Sequence, residues 1–166
     1  KPAARRPQSG PILKGLLQKD GKVSLVNAPL LVKQKGIALK EKRSEAGGEF
    51  LNLITVEVKA GEKVSAAGTL IQNDEERIVK MDDFSVEAVP RGFLLICRNE
   101  DKPGIMGHIG KVLGDRGINI ASMTLGRKKK GGPAITVLNL DEGIDEQVIA
   151  EIERFPVFQS VRLVKL

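Results

Sequence analysis

The sequence predicts an α+β fold, in which a small antiparallel-sheet and helix domain is followed by a second domain of alternating strands and helices. Two changes of hydrophobic periodicity support this prediction. From Phe50 onward apolar residues alternate with polar ones with a period of two, which is typical of strands. After Pro90-Arg91-Gly92, strand-like apolar runs alternate with segments of helical spacing. We therefore expect a domain boundary between residues 91 and 92.

The first part of the chain is predicted to contain a linker, a helical region and four strands. Residues 1–11 hold three prolines and no apolar periodicity, which indicates a linker or a disordered N-terminal segment. A helix is predicted from Asn27-Ala28-Pro29, where a capping residue precedes an early proline, to Gly36, a typical helix terminus. Four short apolar runs separated by tight turns follow, as in an antiparallel meander. Residues 12–91 are thus predicted to form the first domain.

Residues 92–166 are predicted to fold in the order β-α-β-β-α-β. Phe93–Arg98 is an uninterrupted apolar run of the kind found in buried strands. The first helix has apolar residues at i, i+4, i+7 and i+8, namely Ile105, Ile109, Val112 and Leu113. Strands near residues 119–126, 134–140 and 157–165, with a second helix from residue 145, complete the pattern. This order is the ferredoxin-like split βαβ arrangement.

The composition excludes several kinds of site. A single cysteine, Cys97, and a single histidine, His108, leave no internal disulfide and no multi-cysteine or multi-histidine metal site. No serine stands in a Gly-x-Ser-x-Gly elbow, and neither a P-loop nor a strand followed by Gly-x-Gly-x-x-Gly is present. We therefore expect no catalytic residues, no metal site and no cofactor held by this chain itself.

The distribution of charge argues against a nucleic-acid partner. The formal net charge is +6, but residues 1–22 hold six basic groups and one acidic group, and the remainder is nearly balanced. A nucleic-acid surface needs a basic excess on its folded part, and often aromatic side chains, whereas this chain has no Trp, no Tyr and five Phe. No apolar run approaches the roughly 20 residues of a membrane helix. We expect neither nucleic-acid nor membrane binding.

The segment from Asn99 to Gly104, NEDKPG, has the features of a site for a small zwitterion. Asp101 can accept an ammonium group, and the helix start after Gly104 can receive a carboxylate. Gly104 leaves room for a ligand near the backbone, and Asn119 can supply an amide beyond the end of the helix. The same residue types are favoured in turns, and spacing alone favours the turn.

A resemblance favours the ligand site. The stretch Asn99–Arg127, NEDKPGIMGHIGKVLGDRGINIASMTLGR, resembles an ACT domain, the amino-acid-sensing module, and most closely the C-terminal ACT domain of D-3-phosphoglycerate dehydrogenases. Upstream, Val23–Ile37, Ala66–Leu70 and Arg77–Gly92 resemble the intervening allosteric substrate-binding domain of the long form of that family. The NAD-binding and substrate domains that precede them in the family are absent from this chain, so we expect a C-terminal regulatory part of the enzyme.

The resemblance implies an effector site between two copies of the chain. In the family, ACT domains pair side by side and bind L-serine at their interface, which assigns Asn99, Asp101, Gly104 and Asn119 to serine binding. Asn99 stands where relatives have His or Tyr. The parent would be an NAD-dependent oxidoreductase of serine biosynthesis, with its catalytic domains as further partners of this chain. We expect a cytoplasmic location, with a plastid as the alternative.

The resemblance also implies an anion site near the domain boundary. Arg77 matches it best, with Lys80 and Arg91 as further members, while Asn139 stands where a relative contributes an arginine. Two alternative functions stay open: a regulatory segment of an L-serine dehydratase β subunit, which shares both module types, and a purely structural oligomerisation module without an effector.

Overall fold

A computed structural model describes residues 9–18, 22–42, 50 and 52–166. The chain forms two compact units, residues 1–47 and residues 48–166. The boundary predicted between residues 91 and 92 lies inside the second unit, between its two sheets. Within the described part of the chain, no helix is long and apolar enough to cross a membrane.

The first unit is a pair of helices. Helix α1 (Ser9–Leu16) and helix α2 (Ala28–Gln34) share a small apolar core. Its buried members are Leu13, Leu17, Ala28 and Val32. Asn27 precedes α2 as predicted, but its side chain accepts a hydrogen bond from the Ser24 N–H at 2.7 Å and so closes the preceding turn. Of the segment predicted to be a linker, residues 1–8 lie outside the described residues and Ser9–Pro11 belong to α1.

The first sheet of the second unit is the predicted antiparallel meander. Its strands are β1 (Ile54–Ala60), β2 (Glu62–Ile71), β3 (Glu75–Met81) and β4 (Phe84–Ala88), paired in chain order. The turn from β1 to β2 needs one residue, Gly61, whose φ of +80° is accessible to glycine at little cost.

The second sheet has the predicted β-α-β-β-α-β order. Its strands are β5 (Phe93–Glu100), β6 (Ile120–Arg127), β7 (Pro133–Leu140) and β8 (Phe158–Lys165), arranged as β6-β7-β5-β8 and antiparallel throughout. Helices α3 (Ile105–Gly114) and α4 (Glu146–Glu153) provide the two crossovers. They bury the main core, which includes Leu95, Ile109, Leu113, Leu138 and Ile152. The α+β class and this architecture are confirmed.

The opposite face of the second sheet packs on the meander. Leu94, Ile135 and Val137 share a second buried core with Met81 and Val86. Burial on both faces explains why β5 and β7 are nearly continuous apolar runs rather than alternating ones.

Polar contacts also join the two sheets. The Asn139 side-chain amide donates to the Val89 carbonyl at 2.8 Å and accepts from the Val89 N–H at 3.1 Å. Strands β4 and β6 approach so closely that a Cβ at Gly126 would lie 2.4 Å from the Ser85 carbonyl oxygen. The residue expected near an anion site, Asn139, therefore holds the chain segment that follows β4.

Candidate functional site

The candidate site is a cleft of about 640 Å³ at the end of β5 where α3 begins. Three segments surround it: the turn after β5, the first turn of α3, and the loop that joins β6 to β7. Asp101, Gly104 and Met106 line one side, and Arg127 and Gly131 line the other. Of the four residues expected to bind serine, Asp101 and Gly104 line this cleft, whereas Asn99 and Asn119 lie elsewhere.

Asp101 is the charged centre of the cleft. Its Oδ2 accepts hydrogen bonds from Arg127 Nη1 at 2.5 Å and from the Gly131 N–H at 3.0 Å. The Gly131 N–H, followed by the Arg127 guanidinium, holds the pKa of the Asp101 carboxyl below its ordinary value. Within the described parts of the chain, no donor reaches Oδ1 of Asp101. The side chain is 13% exposed, so an ionised carboxylate with one unused oxygen borders the cleft.

Gly104 forms the corner that begins α3. Its φ of +95° lies in the left-handed region, which explains the glycine independently of any ligand. Among the described residues no side chain caps α3, so the backbone N–H groups of its first turn, at Ile105, Met106 and Gly107, have no side-chain acceptor there. These residues line the cleft together with Asp101. The cleft thus combines a carboxylate with a helix N-terminus, the pairing that suits a zwitterion.

Asn99 is buried in the core. Only 1% of its surface is exposed, its Oδ1 accepts from the Thr136 hydroxyl at 3.0 Å, and its Nδ2 donates to the Glu100 carbonyl at 3.0 Å. Alternation along β5 puts Asn99 on the same face as Leu95 and Cys97, which lie in the helix-covered core. Its side-chain amide therefore forms its hydrogen bonds inside the core, and Asn99 does not line the cleft.

Asn119 lies at the other end of the sheet. Its Nδ2 donates to Asp141 Oδ2 at 2.6 Å, and Asp141 follows the last residue of β7. Asp101 instead contacts the Gly132 carbonyl through its N–H at 2.8 Å, just before β7 begins. The eight residues of β7 span roughly 25 Å at about 3.4 Å per residue. One small amino acid cannot contact Asp101 and Asn119 of the same chain.

The outer face of α3 carries three glycines that pack on none of the described residues. A Cβ at Gly107, Gly110 or Gly114 would meet no atom within 4 Å beyond the helix backbone near it. A glycine costs about 1 kcal/mol relative to alanine inside a helix. Contact with the described residues of this chain therefore does not explain these glycines.

Two of the three residues expected to bind an anion form ion pairs with carboxylates. Arg77 Nη2 lies 2.6 Å from Glu75 Oε2, and Arg91 Nη2 lies 2.7 Å from Glu76 Oε2. The Glu76 hydrogen bond raises the pKa of the Arg91 guanidinium above its ordinary value. Lys80 is exposed on β3, and the register puts it on the same sheet face as Arg77. None of these three cations lines the cleft beside Asp101.

The remaining reactive side chains serve packing. Cys97 is fully buried, and burial raises the pKa of its thiol to about 12, which keeps it protonated. The His108 ring stacks on Phe155 with centroids 5.1 Å apart, and its Nε2 lies 3.0 Å from the Ile152 carbonyl oxygen. Neither side chain lines the cleft beside Asp101.

Sequence reasoning missed Arg127 as the partner of Asp101. The two residues are 26 positions apart, and Arg127 stood out in the sequence only as the first of four consecutive basic residues. The available signal was an acidic turn after β5 and a basic loop after β6, because the β-α-β-β-α-β order puts the ends of these two strands at the same end of the sheet.

Comparison with known proteins identifies the family. Residues 93–157 match the ACT domain, and residues 6–82 match the D-3-phosphoglycerate dehydrogenase intervening domain. The D-3-phosphoglycerate dehydrogenase of Bacillus subtilis is 35% identical over 158 residues, covering 93% of this chain and 30% of that protein. That of Methanocaldococcus jannaschii is 36% identical over 156 residues, with 93% and 30% covered. Chloroplastic D-3-phosphoglycerate dehydrogenase 3 of Arabidopsis thaliana is 25% identical over 170 residues, with 93% and 29% covered.

The chain spans about 30% of the length of these relatives. Its two family matches follow one another in the order intervening domain, then ACT domain. The chain therefore belongs to the D-3-phosphoglycerate dehydrogenase family and corresponds to its C-terminal region.

Proposed function

We propose that this chain is the effector-binding regulatory part of a D-3-phosphoglycerate dehydrogenase and that it binds L-serine between two copies of its ACT domain. The observation that carries the proposal is the Asp101 carboxylate, which is ionised, has one unused oxygen and borders a cleft at the start of α3. A free amino acid carries one ammonium and one carboxylate group, and this cleft offers a complement to each.

Recognition assigns each group of serine to a partner. The α-ammonium group donates to Asp101 Oδ1, because a charge-assisted hydrogen bond is the strongest contact available there. The α-carboxylate accepts from the first N–H groups of α3, where the helix dipole favours negative charge. The side-chain hydroxyl is bound by Asn119, whose exposed amide donates to Asp141 and, among the described residues, to no other group.

The separation along β7 requires Asn119 to come from a second copy. A two-fold dimer brings Asp101 of one copy to Asn119 of the other and creates two equal sites. The outer face of α3 supports such a contact, since its glycines allow another backbone to approach closely and a Cβ there would meet nothing in the described part of the chain. Oligomerisation and serine binding are therefore parts of the same proposal.

In the complete enzyme, serine would shift the equilibrium between arrangements of the regulatory regions and so lower turnover at distant catalytic domains that use NAD. A coupling free energy of about 1–3 kcal/mol between the two kinds of site suffices for graded inhibition. The enzyme would act in serine biosynthesis in the cytoplasm or a plastid. The named relatives reported above favour this parent over an L-serine dehydratase.

A second candidate is an oligomerisation module without an effector. The burial of Asn99 favours it, because one of the contacts expected for serine is used inside the core. The two candidates predict the same dimer and differ only in the response to amino acids.

Calorimetric titration of the chain with L-serine separates them, with D-serine and glycine as controls and the mass followed by light scattering. We expect saturable binding of one serine per Asp101 cleft, a dimeric mass, and no binding of D-serine. A dimer that binds no serine would leave the oligomerisation module, and a monomer that binds none would contradict both candidates.

A further inference from the structure

We propose that Arg127 is a positioning residue for effector recognition: it holds one oxygen of the Asp101 carboxylate so that the other oxygen is presented to the ammonium group of the ligand. This inference rests on the proposed function. It assigns to the loop that joins β6 to β7 a role in recognition that the sequence did not indicate.

The hydrogen-bonding pattern of Asp101 supports this role. A carboxylate accepts through two oxygens and rotates broadly about its terminal torsion unless it is held. Here both intramolecular donors converge on the same oxygen, Oδ2, with Arg127 Nη1 at 2.5 Å and the Gly131 N–H at 3.0 Å. Two donors on one oxygen define the plane of the carboxylate and leave Oδ1 unused.

The loop that joins β6 to β7 and the end of β6 supply these two donors. Arg127 is the last residue of β6, and Gly131 has a φ of +72°, a left-handed conformation that directs its N–H toward Asp101. The backbone of Asp101 in turn donates to the Gly132 carbonyl at 2.8 Å. Three hydrogen bonds therefore tie the end of β5 to this loop, and the guanidinium supplies the only charged donor among them.

Lys128 provides a matched control in the same loop. It follows Arg127 directly, but its Nζ lies 2.9 Å from Asp83 Oδ2 on the meander, and it does not line the cleft beside Asp101. Replacing either residue by glutamine removes one positive charge from the loop. Only the replacement of Arg127 removes a donor from Asp101.

The test is a titration of L-serine into wild type, Arg127→Gln, Arg127→Lys and Lys128→Gln, with thermal unfolding recorded for each variant. We expect Arg127→Gln to weaken serine binding about tenfold, the effect of losing one hydrogen bond to a charged group. Arg127→Lys should restore part of the affinity, and Lys128→Gln should stay within about twofold of wild type. Equal affinities of wild type and Arg127→Gln would overturn the inference.

A double-mutant cycle with Asp101→Asn tests whether Arg127 acts through Asp101. If it does, Arg127→Gln has no further effect on affinity once Asp101 is replaced. An undiminished loss in the Asp101→Asn background would show that Arg127 acts on the ligand directly and would overturn the positioning role.

The pKa of Asp101, followed by carboxyl ¹³C NMR without ligand, gives a readout that does not depend on serine binding. Loss of the guanidinium should raise this pKa in Arg127→Gln and leave it unchanged in Lys128→Gln, whereas an unchanged pKa in both would overturn the inference. Failure of wild type to bind serine would instead contradict the proposed function, and the NMR result would still decide whether Arg127 holds Asp101.

Discussion

At Asp101 one carboxylate meets one guanidinium beside a cleft, whereas at Arg77 and Arg91 the guanidinium groups meet carboxylates outside that cleft. The contacts are of similar length, 2.5 Å for Arg127 with Asp101 and 2.6 Å for Arg77 with Glu75. The two groups differ in the hydrogen-bonding capacity that they leave unused. Asp101 keeps a free oxygen at the edge of a cavity, while Arg77 also donates to the Glu76 carbonyl at 2.9 Å.

This comparison shows that residue type alone does not identify a site. Both groups contain the charged residues that the resemblance assigns to ligand binding. The group at Asp101 combines unused hydrogen-bonding capacity with a space that a ligand can enter, and Arg77 and Arg91 do not line that space. The anion site at Arg77 stays a prediction, and an anion there would have to compete with carboxylates already bound.

The largest expected effect tests whether the two ends of the sheet form one site. Asp101→Ala should weaken L-serine binding about 100-fold, since a charge-assisted hydrogen bond is lost, and Asn119→Ala should weaken it less. When the two variants are mixed and allowed to exchange subunits, each mixed dimer regains one intact site. Calorimetry should then show wild-type affinity at up to half of the clefts in mixed dimers.

No recovery of binding on mixing would mean that Asp101 and Asn119 do not act on the same ligand. Asp101→Ala alone, taken through the same exchange procedure, controls for changes in binding that the procedure itself causes.

The next largest expected effect concerns the outer face of α3, which carries the three glycines. Gly107→Ala should stabilise the isolated fold by up to about 1 kcal/mol, because alanine favours helix and the added Cβ meets no atom within 4 Å. The same methyl group should weaken dimerisation about tenfold if a second backbone packs there, as measured by sedimentation and by chemical unfolding of the monomer.

Gly15→Ala is the matched control, since Gly15 is an exposed glycine of α1 whose Cβ would also meet nothing. It should stabilise its helix without changing the mass of the assembly. Unchanged dimerisation in Gly107→Ala would remove α3 from the interface.

A smaller effect tests the anion site predicted at Arg77, Lys80 and Arg91. Glu76→Gln removes the carboxylate that holds Arg91, so binding of inorganic phosphate should strengthen about two- to threefold, a change typical of exposed ion pairs. Adding Arg91→Gln should cancel the gain. Equal phosphate binding by wild type and Glu76→Gln, measured by NMR titration, would show that Arg91 does not contribute to an anion site.

The smallest expected effect is the acid sensitivity of folding. The pKa of Asp101 is lower in the folded chain than in an unfolded one, so the folded chain binds fewer protons there. The stabilisation that comes from this pKa difference is complete above the ordinary carboxyl pKa. It is lost as the pH falls through the pKa that Asp101 has in the folded chain. Urea unfolding of Asp101→Asn should therefore lose less stability on acidification than wild type, and equal losses would contradict this account.

The sequence predicted the local elements well, and the burial of one candidate site residue was also predictable. Asn27, Pro29 and Gly36 lie at the ends of α2 as predicted, because turns, an early proline and a left-handed terminus depend on neighbouring residues. Asn99 was assigned to the ligand site, yet it continues the buried alternation of Leu95 and Cys97 along β5. That period of two was visible in the sequence and predicts the core position it occupies.

By itself the sequence determined the strands, the helices, their order and the turn that holds Asp101 and Gly104, because periodicity and backbone preference act over a few residues. Only the tertiary structure decided that Arg127 binds Asp101 and that Asn119 lies roughly 25 Å away along β7. Both facts follow from the strand order β6-β7-β5-β8, which brings residues from distant parts of the chain to the same end of the sheet or separates them. Contacts of that kind depend on how whole elements pack, and no local sequence pattern predicts them.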